Sequence, residues 1–180
     1  MRIGSYAGDP CHASPTRDKP LPRLCRARIR TGGFARYRMQ GALVTPEDLV
    51  EIEEIKFLKA RYFRLMDQKR WEALGELFTE DCAQTWQAAP GEVPAGGAGR
   101  EGVVAFIRDS LAGIRSTHHG HMPEIELTGP RTAVGIWALH DHCTAGGEVV
   151  FDGAGYYRDE YEKHGGRWLI RSTHLEAEPF

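Results

Sequence analysis

The sequence lacks the long apolar segments of membrane-spanning and secreted proteins. No apolar run approaches the roughly 20 residues that a transmembrane helix requires, and the first thirty residues contain no continuous apolar stretch. Cysteine is also scarce: the four cysteines of the 180-residue chain are widely spaced and form no CxxC pair, so neither a disulfide framework nor a zinc ribbon is indicated. We therefore expect a cytoplasmic protein that has reduced thiols and no membrane partner.

Acidic residues are nearly absent from the first part of the chain. Residues 1–42 hold nine of the 23 basic residues but only Asp9 and Asp18 of the 25 acidic ones, and the remainder has a net charge of −9. Because the first segment has no apolar periodicity, we expect residues 1–42 to be a disordered basic leader and residues 43–180 to form one domain. A start codon set too far upstream, with Met39 as the real beginning, is favoured over a targeting segment or a nucleic-acid arm. The acidic domain would repel phosphate, so no nucleic-acid partner is expected.

Three amphipathic helices are predicted after the leader. Thr45 followed by Pro46 and two acidic residues is a typical helix start, and apolar residues then recur every three or four positions to about Asp67. The same spacing predicts a shorter helix over 71–78 and a third helix over 100–111. Residues 90–99 contain two prolines and four glycines, which predicts an irregular loop.

The hydrophobic period changes to two after the third helix, which is typical of strands. Glycine-containing turns separate the predicted strands, which cover residues 82–88, 115–127, 131–143, 148–162 and 167–177. Helices are thus segregated from strands, so the predicted class is α+β. We expect a cone-shaped, curved antiparallel sheet with three helices that enclose a pocket.

Histidines are concentrated in two predicted strands. Strict alternation would place His119 and His121 on the core face and His118 on the outer face, but a bulge between 118 and 121 would turn both His118 and His121 inward. Three interpretations remain: hydrogen-bonded strand histidines, a metal site built on His119-x-His121-x-x-Glu124, or acid–base catalysis by one metal-free histidine. The metal site is disfavoured because the spacing is loose and no matching downstream motif follows.

Three further residues could cooperate with a catalytic histidine. Asp141 continues an apolar row of its strand, so it is either buried with a partner or ends the strand in water. Asp67 lies near a helix C-terminus, where an acid opposes the helix dipole, so helix stability does not explain it. Tyr62 lies on the apolar stripe of the first helix, where it is either a core residue or a hydrogen-bond donor in the pocket. Tyr62 and Asp67 lie about 140° apart around a regular helix, which argues against a single shared pocket.

Four segments carry a resemblance to a known family: 55–67, 118–125, 135–141 and 155–161. In these segments, and over about residues 45–177, the chain resembles the SnoaL-like branch of the nuclear-transport-factor-2-like superfamily. Within that branch it is most similar to bile acid 7α-dehydratase-type lyases and, more distantly, to scytalone dehydratase-like lyases. The resemblance implies catalytic roles for Tyr62, Asp67, His118 and Asp141. Trp86 stands where this group is expected to have a tyrosine, which puts a steroid substrate in doubt.

The residues and the resemblance together predict a cofactor-independent lyase of the dehydratase type. Its substrate would be a hydrophobic hydroxy-carbonyl or steroid-like small molecule, from which a histidine general base removes a proton. Neither a metal nor a cofactor is expected. The alternative is a non-catalytic small-molecule-binding protein or an isomerase of the same fold. Relatives commonly associate, so a homodimer or homotrimer is expected. Substrate contacts are assigned to Trp86, His121, Met122, Trp137 and Tyr157.

Overall fold

The computed structural model describes residues 37–39, 42–87 and 94–180. The predicted leader falls largely on residues 1–36, outside the described residues, but the strands β1 (Tyr37–Met39) and β2 (Ala42–Val44) pair as a short antiparallel hairpin at its end. The other elements are α1 (Pro46–Asp67), α2 (Trp71–Gly75), β3 (Phe78–Gln87), β4 (Ala95–Ala98), α3 (Gly99–Ser110), β5 (Arg115–Gly129), β6 (Thr132–Ala145), β7 (Glu148–His164) and β8 (Arg167–Pro179). None of the helices formed by the described residues combines the length and the apolar character that a membrane span requires.

The predicted α+β class is confirmed: the described residues form three helices beside one large sheet. That sheet has the strand order β4-β3-β8-β7-β6-β5. Its pairings are antiparallel except for β3 with β8, which run parallel, so the sheet is mixed rather than wholly antiparallel. The helix α1 packs against β5 and α3 packs against β3. The core between helices and sheet includes Ile55, Leu74, Phe78, Val103 and Ile170, all of them buried.

Local interactions define the beginning of helix α1, and a left-handed residue follows its end. The Thr45 hydroxyl accepts a hydrogen bond from the Asp48 backbone N–H at 3.1 Å, and the Asp48 carboxylate accepts one from the Thr45 N–H at 2.8 Å. This reciprocal capping box satisfies two N–H groups that the helix itself leaves unpaired. At the other end α1 stops after Asp67, and Lys69 adopts a left-handed backbone conformation with φ of 58°.

The prediction of an irregular loop over 90–99 is wrong for its last part. Residues 95–98 form the edge strand β4, which pairs with β3. A Cβ atom on Gly96 would lie 2.0 Å from the Gln84 carbonyl oxygen, and one on Gly97 would lie 2.4 Å from the Gly102 carbonyl oxygen. The glycines therefore permit a close approach of backbones rather than a break in regular structure. The second helix is also shorter than predicted, because Phe78 begins β3.

Candidate functional site

The side chain of His118 points into the molecule because β5 contains a bulge. The pairing of β5 with β6 shifts between His121 and Glu124, where Met122 has a φ of 29°. Before the bulge His118 faces inward, with only 7% of its side chain exposed, and after it Ile125 does. The predicted bulge thus exists but lies further along the strand, so it leaves His121 on the outer face. His121 and Met122 are exposed, Met122 by 93%, and neither lines the cavity described below.

A glycine next to His118 lets helix α1 approach the strand closely. Gly120 faces the same side as His118, and a Cβ atom on it would lie 2.3 Å from Cε2 of Phe63. Only a residue without a side chain therefore fits between β5 and α1 at this point. The close packing places the C-terminal end of α1, and with it Asp67, beside His118.

Asp67 is the hydrogen-bond partner of the His118 ring. Its Oδ1 atom lies 2.5 Å from Nδ1 of His118, and its Oδ2 atom accepts the backbone N–H of the same residue at 3.1 Å. The Ser116 hydroxyl also donates to Oδ1, at 3.0 Å. Burial raises the pKa of Asp67, but these hydrogen bonds outweigh it and hold the pKa below its ordinary value. The carboxylate is therefore ionised at neutral pH and fixes the orientation of the imidazole.

Asp141 is a second carboxylate beside His118, and it is not equivalent to the first. It lies on β6 directly across from His118, is 4% exposed, and its Oδ1 atom has no hydrogen-bond partner within the described residues. Burial raises its pKa from 3.8 to about 6, and the charge of Asp67 adds to this effect while His118 opposes it. Near neutral pH a fraction of Asp141 is thus protonated and able to donate a hydrogen bond.

Tyr62 and His118 face one cavity between the helices and the sheet. The cavity has a volume of about 270 Å³, and its polar lining residues are Tyr62, Gln84, Trp86, Ser110, His118, Asp141 and Tyr157. The rest of the lining is apolar and includes Met66, Phe106 and Phe151. Asp67 does not line the cavity but lies behind His118, so its position 140° from Tyr62 on the helix is no obstacle.

Several polar atoms at the cavity wall are buried without a partner among the described residues. They are Oε1 of Gln84, Nε1 of Trp86 and Oδ1 of Asp141. Buried polar atoms are normally hydrogen-bonded, and those that are not indicate an unfilled site. Burial, together with the charges of Asp159 and Asp141, raises the pKa of Tyr62, so its hydroxyl remains a donor at neutral pH. The cavity therefore offers donors and acceptors to a ligand.

A buried ion pair lies behind the two tyrosines of the cavity wall. Nζ of Lys59 lies 2.7 Å from Oδ2 of Asp159, and both side chains are fully buried. The ammonium group also lies 3.8 Å from the ring centre of Tyr157 and 4.5 Å from that of Tyr62. Burial lowers the pKa of Lys59, and the Asp159 carboxylate opposes that shift. The pair thus fixes both aromatic rings from behind.

Two of the three remaining predicted substrate contacts lie at the cavity, and one does not. Trp86 and Tyr157 line the cavity, whereas Trp137 lies in the core, where its Nε1–H donates to the Tyr161 hydroxyl at 2.9 Å. His119 and Glu124 are exposed, so the sequence pattern proposed for a metal lies on the surface. Among the residues that the structure describes, no three His, Cys, Asp or Glu side chains are arranged to hold a metal ion.

Three residues at or next to the site were not predicted from the sequence, although each carries a signal in it. Ser116 and Gln84 lie two positions from His118 and Trp86 on the same strand faces, so alternation alone could have identified them. Lys59 lies within the apolar stripe of α1, where a lysine signals a buried partner.

Comparisons with known proteins agree with this fold. The family model for the SnoaL-like domain matches residues 47–174. A protein from Novosphingobium aromaticivorans assigned as a scytalone dehydratase is 25% identical, with a TM-score of 0.63 over 74% of this chain and 88% of that chain. A protein of unknown function from Mycobacterium tuberculosis is 26% identical, with a TM-score of 0.63 over 74% of this chain and 76% of that chain.

A third solved structure, that of LinA, shows likeness of fold alone. It is 18% identical, with a TM-score of 0.62 over 73% of this chain and 90% of that chain. The SnoaL-like match, by contrast, covers well over half of the sequence and includes every element from α1 to most of β8. The chain therefore belongs to the SnoaL-like family, within the nuclear-transport-factor-2-like superfamily.

Proposed function

We propose that the protein is a cofactor-independent lyase that removes water from a hydrophobic hydroxy-carbonyl compound. The observation that carries this proposal is the pair of Asp67 and His118 at the wall of an apolar cavity. An ionised carboxylate can only accept a hydrogen bond, so Nδ1 of His118 carries the proton and Nε2 is the basic nitrogen. A neutral imidazole held in this way can take a proton from a bound substrate.

The proposed reaction needs one base and two hydrogen-bond donors. His118 removes the proton from the carbon next to the carbonyl group, and the electron pair of that C–H bond forms a double bond as the hydroxyl on the next carbon leaves. The Tyr62 hydroxyl donates to the carbonyl oxygen while negative charge develops there, a type of interaction worth about 3–4 kcal/mol in other oxyanion sites. The protonated form of Asp141 supplies the proton that leaves with the hydroxyl as water, and the proton on His118 then returns to Asp141 through solvent.

The size of the cavity limits the substrate. An engineered cavity of about 150 Å³ holds one benzene molecule, so the 270 Å³ found here corresponds to one or two rings. A steroid has four rings and would require the cavity to expand. The unpartnered polar atoms of Gln84 and Trp86 favour a substrate with a further hydroxyl or carbonyl group at the β3 side of the cavity.

An isomerase is the second candidate, because the Tyr62 hydroxyl and the Asp141 carboxyl group line the same cavity. A phenol and a neutral carboxyl group together can stabilise an enolate without loss of a hydroxyl group. Both candidates begin with proton removal by His118 and differ only in the fate of the enolate. The mass of the product separates them, since a lyase product is lighter by one water molecule and an isomerase product is not.

The direct test is a screen of one- and two-ring hydroxy-ketones, followed by ultraviolet absorbance of the conjugated product and by mass spectrometry. We expect His118→Ala to lower turnover by about 10²- to 10⁴-fold. His119→Ala is the matched control, because this exposed neighbour lies on the opposite face of β5 and should leave turnover unchanged. Unchanged turnover in His118→Ala would contradict both candidates, and binding without turnover would favour a non-catalytic binding protein.

A further inference from the structure

The chain leaves helix α1 through a residue type that rarely occupies such a position. The Lys69 N–H bonds to the Met66 carbonyl at 3.1 Å and the Arg70 N–H bonds to the Leu65 carbonyl at 2.9 Å, the pattern of a Schellman motif. In this motif the residue after the C-cap adopts a left-handed conformation. That residue is Lys69, which has a φ of 58°. Glycine usually occupies the position, because a side chain disfavours that conformation. A lysine here therefore calls for a compensating interaction of its side chain.

The Lys69 side chain supplies one, and it leads to the candidate site. Nζ of Lys69 donates to the Ser116 hydroxyl at 2.8 Å, and that hydroxyl donates to Oδ1 of Asp67 at 3.0 Å. The same Oδ1 atom accepts the hydrogen bond from His118. An ammonium group only donates and a carboxylate only accepts, so the direction of every hydrogen bond in this relay is fixed.

We propose that Lys69 is a positioning residue: through Ser116 it holds the Asp67 carboxylate in the orientation that keeps the proton of His118 on Nδ1. The inference deepens the proposed function, because Nε2 of His118 is the atom that would take the substrate proton. Charge supports it as well. Asp67 ends a helix, where the dipole disfavours a negative charge, and a nearby ammonium group offsets that cost. Burial lowers the pKa of Lys69, while the Asp67 carboxylate opposes that shift.

The need for positioning arises from the second carboxylate. Asp141 lies opposite His118 on β6 with an unpaired oxygen, so it competes with Asp67 for the imidazole. Other titratable groups around His118 come from several elements. They are the buried Tyr62 and Lys59 from α1, Cys143 from β6 and Tyr157 from β7. Of the two carboxylates, Asp67 is the one that accepts a hydrogen bond from the Ser116 hydroxyl. The relay from Lys69 therefore selects Asp67 over Asp141.

The test uses nitrogen-15 NMR of the histidine ring in the full chain at pH 8, with the His118 signals assigned from a His118→Asn variant. In the unmodified protein we expect a single tautomer with the proton on Nδ1. In Lys69→Met and Lys69→Gly the ring-nitrogen signals should move toward each other, and the Nδ1 proton should exchange with water at least about tenfold faster. Lys69→Arg should retain the original signals. In Ser116→Ala the ring-nitrogen signals should move toward each other, as they do in Lys69→Met.

Lys69→Gly separates the side chain from the backbone. Glycine adopts the left-handed conformation without strain, so this variant should melt at an equal or higher temperature than the unmodified protein. A lysine that served only to end the helix would leave the ring signals of Lys69→Gly unchanged, and that result would overturn the proposal. Arg64→Met is the matched control, because Arg64 is a cation in the last turn of α1 that bonds to Gln68 and not to Ser116.

The NMR measurement needs no substrate, so it can contradict the role proposed for Lys69 without contradicting the proposed function. Altered ring signals in the Lys69 variants, together with no turnover of any compound, would support the relay and contradict the lyase. Turnover that depends on His118, together with unaltered ring signals, would support the lyase and contradict the relay. Where turnover is found, Lys69→Gly should lower kcat by about tenfold with KM unchanged, because it disturbs the base and not the cavity wall.

Discussion

Asp141 lies directly across the β5–β6 pair from His118, yet the His118 ring is hydrogen-bonded to Asp67 on helix α1. The two carboxylates therefore have opposite properties. Asp67 accepts several hydrogen bonds that stabilise its charge, whereas Oδ1 of Asp141 is buried without a partner within the described part of the chain. A base that is oriented by one acid and faced by another, partly protonated acid can both remove and supply a proton.

The raised pKa of Asp141 predicts a stability that falls as pH rises. Its pKa is about 6 in the folded protein and 3.8 as the ordinary value, so the folded state holds this proton more tightly than the unfolded state. The free energy of unfolding should therefore decrease between about pH 4 and pH 6 and remain lower above pH 6. A difference of about two in pKa corresponds to about 3 kcal/mol. Asp141→Asn should remove this loss, so at pH 8 urea unfolding should show a gain of about 2–3 kcal/mol.

The gain in Asp141→Asn should disappear at pH 4, where the aspartic acid of the unmodified protein is itself neutral. The variant should also lose activity, because its amide cannot supply the proton for the leaving hydroxyl. Equal stability of the two proteins at pH 8 would show that the Asp141 carboxylate is paired or hydrated in solution. Such a result would remove Asp141 from the proposed mechanism and leave the Asp67 and His118 pair intact.

The lowered pKa of Asp67 predicts the opposite dependence. The folded state favours the ionised form, so its contribution to stability is present above the ordinary pKa of 3.8 and is lost as pH falls through the lower, folded value. Asp67→Asn should cost about 1.5–3 kcal/mol at pH 7, the usual range for hydrogen bonds to a charged group. The cost should diminish below pH 3.8. Unfolding in urea from pH 3 to pH 8 measures both effects, and a cost that does not vary with pH would contradict the assignment.

The sequence predicted the identity of the site residues better than their arrangement. Alternation along β6 identified Asp141 as a possible buried acid, because it continues an apolar row. The inward orientation of His118 depends on a bulge, and the sequence indicated one without its position. The position is set by Met122, whose φ of 29° is a conformation that methionine seldom adopts. A local pattern cannot reveal a backbone conformation that tertiary packing imposes.

Contacts between distant segments were the hardest to predict. The helical period placed Asp67 about 140° from Tyr62, which argued against a shared role. In the structure the end of α1 lies against β5, so Asp67 approaches His118 from outside the cavity while Tyr62 lines it. The edge strand β4 was missed for a related reason. Its glycines are typical of a loop, and only the close approach of β3 and α3 explains them as strand residues.

The buried pair of Lys59 and Asp159 predicts strong coupling between two substitutions. Lys59→Met leaves a buried carboxylate without its cation, which typically costs about 3–5 kcal/mol. Lys59→Met combined with Asp159→Asn should recover much of that cost, because the asparagine is neutral and its one amide oxygen still accepts from either the Tyr161 or the Thr173 hydroxyl. A double-mutant cycle by urea unfolding should give a coupling of at least about 1 kcal/mol. The exposed pair of Lys56 and Glu53 is the control.

The control cycle should give a coupling below about 1 kcal/mol, since surface ion pairs are screened by water. Additive effects at Lys59 and Asp159 would contradict the buried ion pair. Ligand binding provides a second readout for the Lys59→Met variant. The ammonium group of Lys59 lies against the rings of Tyr62 and Tyr157, so its loss should also weaken ligand binding in the cavity.

The contact between Gly120 and Phe63 predicts that a single methyl group disturbs the site. In Gly120→Ala the new Cβ atom would lie 2.3 Å from Cε2 of Phe63, so α1 and β5 must move apart or the ring must tilt. Overpacking of this kind typically costs about 1–3 kcal/mol. Because Asp67 lies on α1 and His118 on β5, the variant should also lose activity. Combining Gly120→Ala with Phe63→Leu should restore part of the lost stability and part of the lost activity.

Gly102→Ala is the control, because no atom lies within 4 Å of a Cβ there. An alanine in the interior of α3 should stabilise the protein by about 0.5–1 kcal/mol without changing activity. Gly120→Ala with unaltered stability would show that α1 does not pack closely on β5, and the position assigned to Asp67 would then fail with it.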